Sequence, residues 1–203
     1  MNKMKYHIGI FGSAADMTDG QTRGAMELGT VLGQYADQIV LITGGCSGLP
    51  YTVASSAAEC GVEVWGYSPM CSLEEQQLKY PHDDSTIYKK LFYVPKNYRD
   101  ILLSPDDISA TTDQMLRSKL RNIRSVVNCD AGIIISGRWG TMNEFTNLYD
   151  MGKLIGVLTG TGGVADELPE LTKKISKSTG ANILFNDSAD ELVKAVLAGL
   201  ESR

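Results

Sequence analysis

The sequence predicts one α/β domain whose doubly wound, mostly parallel sheet carries helices on both faces. Short apolar runs alternate along the chain with stretches in which apolar residues recur at helical spacing. The runs are apolar on both faces, as is typical of parallel strands buried between two layers of helices. At 203 residues the chain is long enough for one well-buried core and short for two ordinary domains.

The first half of the chain alternates three strands with two helices. Gly12-Ser13 ends the first strand, Gly44-Gly45 ends the second, and Gly61 ends the second helix. The predicted strands are 6–11, 39–43 and 62–67, and the predicted helices are 25–35 and 49–60.

The second half continues this alternation. Its strands are predicted at 131–136, 154–159 and 182–185, and its helices at about 108–128, from Thr141, around 167–178 and at 189–200. Strands and helices in this order predict a single Rossmann-like domain over residues 1–203.

The stretch 70–107 interrupts the alternation, because it is long for a connection and mixes charged with aromatic residues. One interpretation is a lid or partner surface near a ligand, since long loops in compact domains are often functional. The alternative is an extra helix and edge strand that merely cover the sheet. The stretch holds a strand-like piece at 91–94 and the side chains Glu74, Glu75, Tyr80, His82, Tyr88 and Tyr98.

Composition narrows the expected partners and compartment. The net charge of −5 argues against a general surface for nucleic acid or anionic membranes, which would need a basic excess. No apolar run approaches the roughly 20 residues that span a bilayer, and the first run is too short for a secretory signal. We therefore expect reduced thiols in the cytoplasm and no metal site, because there is no C-x-x-C pair and only two histidines. The cysteines are Cys46, Cys60, Cys71 and Cys129.

The loops that follow the strands are the expected place for chemistry, because in open parallel sheets they form a crevice. Three of them are rich in glycine and precede helices, whose free N–H groups and dipole can hold a phosphate. None matches the G-x-G-x-x-G fingerprint or the Walker A motif. The candidate phosphate-binding residues are Gly12, Ser13, Gly44, Gly45, Gly48, Gly137, Arg138, Gly140 and Thr141.

Two charged residues near the third loop, Glu144 and Arg121, each have a structural interpretation. Thr141 and Glu144 have the spacing of a capping box, in which the hydroxyl and the carboxylate satisfy N–H groups at a helix start. Arg121 belongs to a cluster of four cations that could lie on the solvated face of a helix. The cluster directly precedes a candidate phosphate loop in an acidic protein, which favours an anion site. Its members are Arg117, Lys119, Arg121 and Arg124.

Residues 44–49 (GGCSGL) and 136–144 (SGRWGTMNE) resemble the two signatures of the LOG (Lonely Guy) proteins and their SLOG relatives. Those signatures are a G-G-x-x-G-L-M loop and P-G-G-x-G-T-x-x-E. LOG enzymes are phosphoribohydrolases that release the base from cytokinin riboside monophosphates or AMP, and many relatives were mislabelled lysine decarboxylases. Residues 159–163 (TGTGG) look closest to a branch of molybdenum-cofactor carriers and other nucleotide-binding proteins.

The resemblance implies roles for four residues. Arg121, which lies 23 positions before the motif glutamate, and Glu144 would face the ribose and the glycosidic bond as the catalytic pair. Gly140 and Thr141 would contact the phosphate. Cleavage of an N-glycosidic bond builds oxocarbenium character, which a carboxylate can stabilise or which a carboxylate-activated water can attack.

Several residues depart from the family pattern: Cys46 and Pro50 replace the expected glycine and methionine in the loop of the first signature, and two more departures lie in the second signature. Ser136 stands in place of the proline, and Arg138 in place of the second glycine. If position 138 needs a positive φ, the arginine strains the loop. Its guanidinium could instead bind the phosphate directly or occupy the phosphate position.

Two functions follow as alternatives. The first is a nucleotide or cofactor binding or carrier protein, whose phosphorylated ligand is AMP-like or the molybdenum cofactor. The second is a nucleoside 5′-monophosphate phosphoribohydrolase that uses Arg121 and Glu144. Lysine decarboxylation has no support, since no lysine is identified as a pyridoxal-phosphate site. The expected partners are a small phosphorylated ligand and, by the resemblance, further copies in a homodimer or higher homo-oligomer, with no nucleic acid and no membrane.

Overall fold

The computed structural model describes residues 4–14, 17–98, 110–175 and 177–203. The strands in these ranges are β1 (Tyr6–Gly12), β2 (Ile39–Thr43), β3 (Glu63–Tyr67), β4 (Tyr88–Phe92), β5 (Ala131–Ile135), β6 (Leu154–Leu158) and β7 (Asn182–Asn186). The helices are α1 (Asp19–Gly33), α2 (Leu49–Glu59), α3 (Leu73–Lys79), α4 (Ala110–Val127), α5 (Trp139–Asp150), α6 (Val164–Lys174) and α7 (Ala189–Glu201). All strands join one parallel sheet, which confirms the predicted α/β fold class.

The sheet order β4-β3-β2-β1-β5-β6-β7 places the first strand at the centre. From β1 the chain builds outward to β4, then returns to the other side of β1 and builds outward again to β7. The strand order therefore reverses between β1 and β5. In open α/β sheets the ligand crevice lies outside the carboxyl ends of the strands at this switch point.

Helices cover both faces of the central strands, and every residue of β2, β5 and β6 is buried. One layer consists of α1, α2 and α7, and the other of α4, α5 and α6. The first layer contributes Leu28, Val53 and Leu192 to the core, and the second contributes Val126, Phe145 and Leu168. This two-sided burial is the reason that the strand sequences are continuously apolar.

The stretch 70–98 contains α3, a short 3₁₀ turn at Ser85–Ile87 and the edge strand β4, which pairs with β3. An extra helix and an edge strand were one of the two interpretations of 70–107. The strand begins three residues before the predicted 91–94, because exposed Lys89 and Lys90 hide its apolar pattern. Residues 99–107 lie outside the described residues.

Three helices begin earlier than predicted. A capping box of Thr18 and Gln21 starts α1 six residues before the predicted position, and α5 begins at Trp139 instead of Thr141. The predicted helix 167–178 is observed at Val164–Lys174. Within the described ranges, no helix is both long and apolar enough to cross a membrane.

Candidate functional site

A cavity of about 180 Å³ lies at the carboxyl ends of the central strands. The loops after β1, β2 and β5 meet there with the side chains of α4 and α5, at the switch point of the sheet. Its lining includes eight of the eleven predicted site residues, which are Gly12, Ser13, Gly44, Arg121, Arg138, Gly140, Thr141 and Glu144.

The other three predicted residues, Gly45, Gly48 and Gly137, do not line the cavity but shape the loops that do. All three have positive φ, at 62°, 125° and 109°, which side chains rarely adopt. A Cβ on Gly48 would lie 2.5 Å from the Ser13 carbonyl oxygen, and one on Gly137 would lie 2.5 Å from the Thr141 Cβ. Their contribution is therefore to backbone geometry.

The cavity also contains residues that sequence reasoning did not mark as site residues. Six lie within two residues of a marked glycine, and three, Ser118, Lys119 and Asn122, come from α4. Ser118, Arg121 and Asn122 are three and four residues apart, so they share one helical face that points into the cavity. This helical spacing was the signal from which the sequence could have predicted Ser118 and Asn122 as site residues. The unmarked lining residues are Ile10, Phe11, Ala14, Cys46, Ser47, Pro50, Ser118, Lys119 and Asn122.

The four cations of α4 divide into two pairs. Arg117 forms ion pairs of 2.8 and 3.0 Å with two carboxylates, and Arg124 donates to a backbone carbonyl 2.5 Å away. Lys119 and Arg121 instead line the cavity. Arg121 therefore does not lie on a solvated helix face.

The N-terminus of α5 faces the cavity with free backbone donors. Its N-cap residue, Arg138, makes no capping hydrogen bond, and the first bonded amide is that of Met142. The N–H groups of Trp139, Gly140 and Thr141 thus have no acceptor among the residues described. By contrast, side-chain oxygens cap α1, α3 and α7. Open donors and the positive end of the helix dipole together favour an anion.

The predicted capping box of Thr141 and Glu144 is wrong. Because α5 begins at Trp139, Thr141 lies inside the first turn, where it is buried against the loop at Gly137. The Glu144 carboxyl is therefore not used for capping, and it lines the cavity instead.

Ser136, at the end of β5, is the one non-glycine residue with positive φ in the described part of the chain, at 53°. Its N–H donates to Thr161 Oγ1 over 2.8 Å, its Oγ accepts from Gln21 Nε2 at 3.1 Å, and its carbonyl accepts from the Ala165 amide. These contacts stabilise a positive φ at Ser136. Proline cannot adopt this conformation, because its ring fixes φ near −65°. The loop therefore cannot follow a Pro-Gly-Gly path at this position.

Arg138 is not strained, contrary to one of the expectations from the sequence. Its φ is −129°, in the extended region that any residue adopts. The positive φ values of this loop fall on Ser136 and Gly137 instead. Arg138 is exposed at the edge of the cavity, and its guanidinium forms no ion pair or hydrogen bond with the described residues.

Arg121 and Glu144 come together inside the cavity. Glu144 is only 6% exposed, and burial raises the pKa of its carboxyl to about 7, although Arg121 and Lys119 oppose the shift. Burial disfavours the charge on Arg121, but the neighbouring Cys46 and Glu144 raise its pKa overall, so it stays protonated. Its Nε is buried without a hydrogen-bond partner. The pair combines a fixed cation with a carboxyl group that titrates near neutral pH.

Glycine at position 44 makes room for Arg121. A Cβ added there would overlap Arg121 Nη1 and would lie 2.8 Å from Cζ. The guanidinium therefore lies directly over the backbone of the second glycine-rich loop.

Residues of the 70–98 stretch hold this second loop in place. Gln76 Nε2 donates to the Gly45 carbonyl over 2.5 Å, and Ser47 Oγ donates to Asp83 over 2.5 Å. Tyr80 interacts with the Cys46 thiol, whose pKa burial raises, so that the thiol is protonated. These contacts connect α3 and the residues after it to the cavity wall.

In the loop after β6, a carboxylate of the protein itself occupies the position where backbone amides could bind an anion. The amides of Gly160 and Gly162 donate to the two oxygens of the Asp166 carboxylate, over 2.7 and 2.9 Å. Asp166 lies in the first turn of α6, where the helix dipole favours its charge.

Solved structures with the same fold include three informative proteins. TM1055, from a structural genomics programme, is 18% identical, with a TM-score of 0.72 over 96% of this chain and 99% of its own. The molybdenum cofactor binding protein of Rippkaea orientalis is 17% identical, with a TM-score of 0.64 over 96% and 98%. DNA processing protein A of Helicobacter pylori is 15% identical, with a TM-score of 0.61 over 97% and 81%.

The sequence-based exclusion of a nucleic-acid partner is wrong. DNA processing protein A of Helicobacter pylori has this fold and binds single-stranded DNA. The expectation rested on net charge, which is a sum over the whole surface and does not describe a local group of cations. Here Lys119, Arg121 and Arg138 line one cavity of an acidic chain.

Sequence comparison identifies the family. No curated protein matches the chain significantly. The model of the SLOG cluster4 family matches residues 5–193, which is nearly the whole sequence and includes every residue of the cavity. The chain therefore belongs to the SLOG cluster4 family.

Proposed function

We propose that this protein binds a phosphorylated, nucleotide-like ligand in the cavity at the switch point, as a nucleotide or cofactor binding or carrier protein. The observation that carries the proposal is the open N-terminus of α5 beside three cavity cations, Lys119, Arg121 and Arg138. At neutral pH the opposing carboxyl, Glu144, is only partly ionised, so the cavity has a positive balance. The proposal includes a cytoplasmic location, which the unpaired cysteines support.

The phosphate position follows from the free donors. The amides of Trp139, Gly140 and Thr141 converge at the helix start, where a phosphate gains both hydrogen bonds and the dipole. A Cβ on Gly140 would meet no atom within 4 Å, so the space above this residue is open to a ligand. Arg138 and Arg121 can then contact the phosphate oxygens with charge-assisted hydrogen bonds.

The ligand candidates are an AMP-like nucleotide and the molybdenum cofactor. A protein of the same fold, that of Rippkaea orientalis, binds the molybdenum cofactor, which supports the second candidate. Both ligands join a phosphate to a nitrogen heterocycle. Mass spectrometry of small molecules released from the purified protein distinguishes the two directly.

Isothermal titration with AMP tests the proposal. Arg121→Met should weaken binding about 10-fold or more, since a hydrogen bond to a charged group contributes roughly 1.5–3 kcal/mol. Arg23→Met is the matched control, because Arg23 is an exposed arginine on α1 outside the cavity, and it should leave binding unchanged. Equal losses in both variants, or no binding of any phosphorylated ligand to the natural protein, would contradict the proposal.

A second candidate function is hydrolysis of a nucleoside 5′-monophosphate to free base and ribose 5-phosphate. The observation that favours it is the Glu144 carboxyl, with a pKa of about 7 beside Arg121, which suits a group that exchanges protons near neutral pH. Incubation with a panel of nucleoside monophosphates tests for free base. Turnover that disappears in Glu144→Gln supports the enzyme, whereas tight binding without turnover supports the carrier.

A further inference from the structure

Within the described part of the chain, no ring stacking, cation contact or hydrogen bond of the Trp139 side chain explains its presence. Its side chain is 85% exposed, an unusual state for the largest apolar side chain. It makes no ring or cation contact with the residues that the structure describes. The other tryptophan, Trp65, is half-buried, donates to Glu63 over 2.7 Å and has the Lys90 ammonium 3.7 Å from its ring centroid. Trp139 therefore lacks the kind of structural role that Trp65 has.

Trp139 lies beside the cavity on α5, although its own side chain is not among the residues that line it. It is the first residue of the helix, and its two neighbours, Arg138 and Gly140, both line the cavity. Helical side chains tilt toward the N-terminus, so a side chain at this position extends past the helix end on which the free N–H groups lie.

The size of the cavity leaves part of a nucleotide-like ligand outside. Its volume of about 180 Å³ is below the roughly 300–1,000 Å³ of pockets that enclose whole ligands of drug size. A ligand whose phosphate and sugar occupy this volume must carry its heterocycle outside it, and Arg138 and Trp139 are exposed next to the cavity at the start of α5.

We propose that Trp139 is the platform on which the planar heterocycle of the ligand stacks while its phosphate is bound at the start of α5. This inference rests on the proposed function and adds the residue that recognises the heterocycle of that ligand. Every such ring presents a π-face, and stacking on an aromatic side chain strengthens binding about 5- to 150-fold. Selectivity for the heterocycle then comes from this residue, and affinity for the phosphate from the cavity.

Binding of AMP and of ribose 5-phosphate separates the two contributions. Trp139→Leu should weaken AMP binding about 5- to 150-fold, and Trp139→Phe should weaken it less, because phenylalanine keeps a ring. The affinity for ribose 5-phosphate, which has no heterocycle, should be the same in all three proteins. Because the side chain is exposed, both variants should fold normally, which their circular dichroism and Tm verify.

Fluorescence gives a second readout. The chain has two tryptophans, so in a Trp65→Phe background Trp139 is the only one. AMP should quench its emission and ribose 5-phosphate should not. Equal AMP affinity in Trp139→Leu and the natural protein would overturn the role of Trp139 and leave the phosphate site intact. If neither compound binds the natural protein, the AMP-like ligand of the proposed function is wrong, and this inference is overturned with it.

Discussion

Replacement of Gly44 by alanine should disable the candidate site while leaving the fold nearly unchanged. The φ of Gly44 lies outside the positive region, so alanine adopts this backbone without strain. The obstacle is the Arg121 guanidinium, because the new Cβ would overlap Nη1 and lie 2.8 Å from Cζ. That group is the far end of a flexible side chain, so it can move aside toward solvent.

The two effects of this substitution differ in size. The free energy of unfolding should change by less than about 1 kcal/mol, since no backbone atom or packed apolar side chain is displaced. Ligand binding should weaken about 10- to 150-fold, the equivalent of one lost charge-assisted hydrogen bond of roughly 1.5–3 kcal/mol. Urea unfolding measures the first quantity, and titration with AMP measures the second.

Gly24→Ala is the matched control for Gly44→Ala. Gly24 lies inside α1, and a Cβ there would meet no atom within 4 Å. It should stabilise the protein by about 0.5–1 kcal/mol through helix propensity, with no effect on AMP binding. If Gly44→Ala binds AMP as well as the natural protein does, Arg121 is not positioned for the ligand and the reasoning fails.

Three further predictions concern the residues around the cavity. Because the pKa of Glu144 is raised from 4.5 to about 7, the folded state binds this proton more tightly than the unfolded chain does. The unfolding free energy should therefore fall between about pH 4 and pH 8, relative to Glu144→Gln, by about 3 kcal/mol, and then level off; urea unfolding across this range measures it. Ser136→Gly should lower the Tm less than Ser136→Ala does, since glycine removes the positive-φ strain that alanine keeps. Ser136→Pro should lower the Tm the most, because proline cannot adopt a positive φ. Asp166→Ala should lower the unfolding free energy by about 1 kcal/mol because two loop amides lose their acceptor, whereas Glu170→Gln, at an exposed ion pair, should change it by less than about 0.5 kcal/mol.

Each of these predictions has a contradicting result. A pH-independent difference between Glu144→Gln and the natural protein would show that Glu144 does not titrate near neutral pH. A proline at position 136 that is tolerated would mean that the residue is not held at positive φ. Equal effects of Asp166→Ala and Glu170→Gln would mean that the loop amides have other acceptors.

The sheet was predictable because its strands are buried on both faces. Burial forces a continuous apolar run in β2, β5 and β6, and the run is visible without any tertiary information. The edge strand β4 lacks this signal, since solvent reaches it and the sequence can place lysines there. Its register also shifts between Val64 and Trp65 of the partner strand, which no local pattern predicts.

The site was predictable as a set of loops but not as a set of contacts. Glycines after β1, β2 and β5 marked the correct edge of the sheet, because parallel strands bring their carboxyl ends together. The beginning of α5 was misplaced, since the pattern Thr141 to Glu144 fits a capping box while the actual turn is set by the φ of Ser136 and Gly137. Backbone conformation of that kind depends on tertiary hydrogen bonds and has no local signal.

The contacts of the α4 cations were likewise not predictable from the sequence. Arg117 and Arg121 are one helical turn apart and chemically identical, yet carboxylates neutralise one while the other lines the cavity. The partners of Arg117 are Asp113, on the same helix, and Glu75, 42 residues earlier in the chain. Only the fold decides which arginine is available to a ligand.

The carboxylate of Asp166 also restricts the direction in which a ligand can extend from the candidate site. It occupies the amides of the loop after β6, so an anion arriving there would meet a negative charge already in place. Residues of the loops after β1 and β2, such as Gly12, Ser13 and Gly44, instead line the cavity beside the start of α5. If the proposed function is correct, a ligand bound by its phosphate at α5 should extend toward β1 and β2, because the Asp166 carboxylate limits the space for a second anionic group on the β6 side.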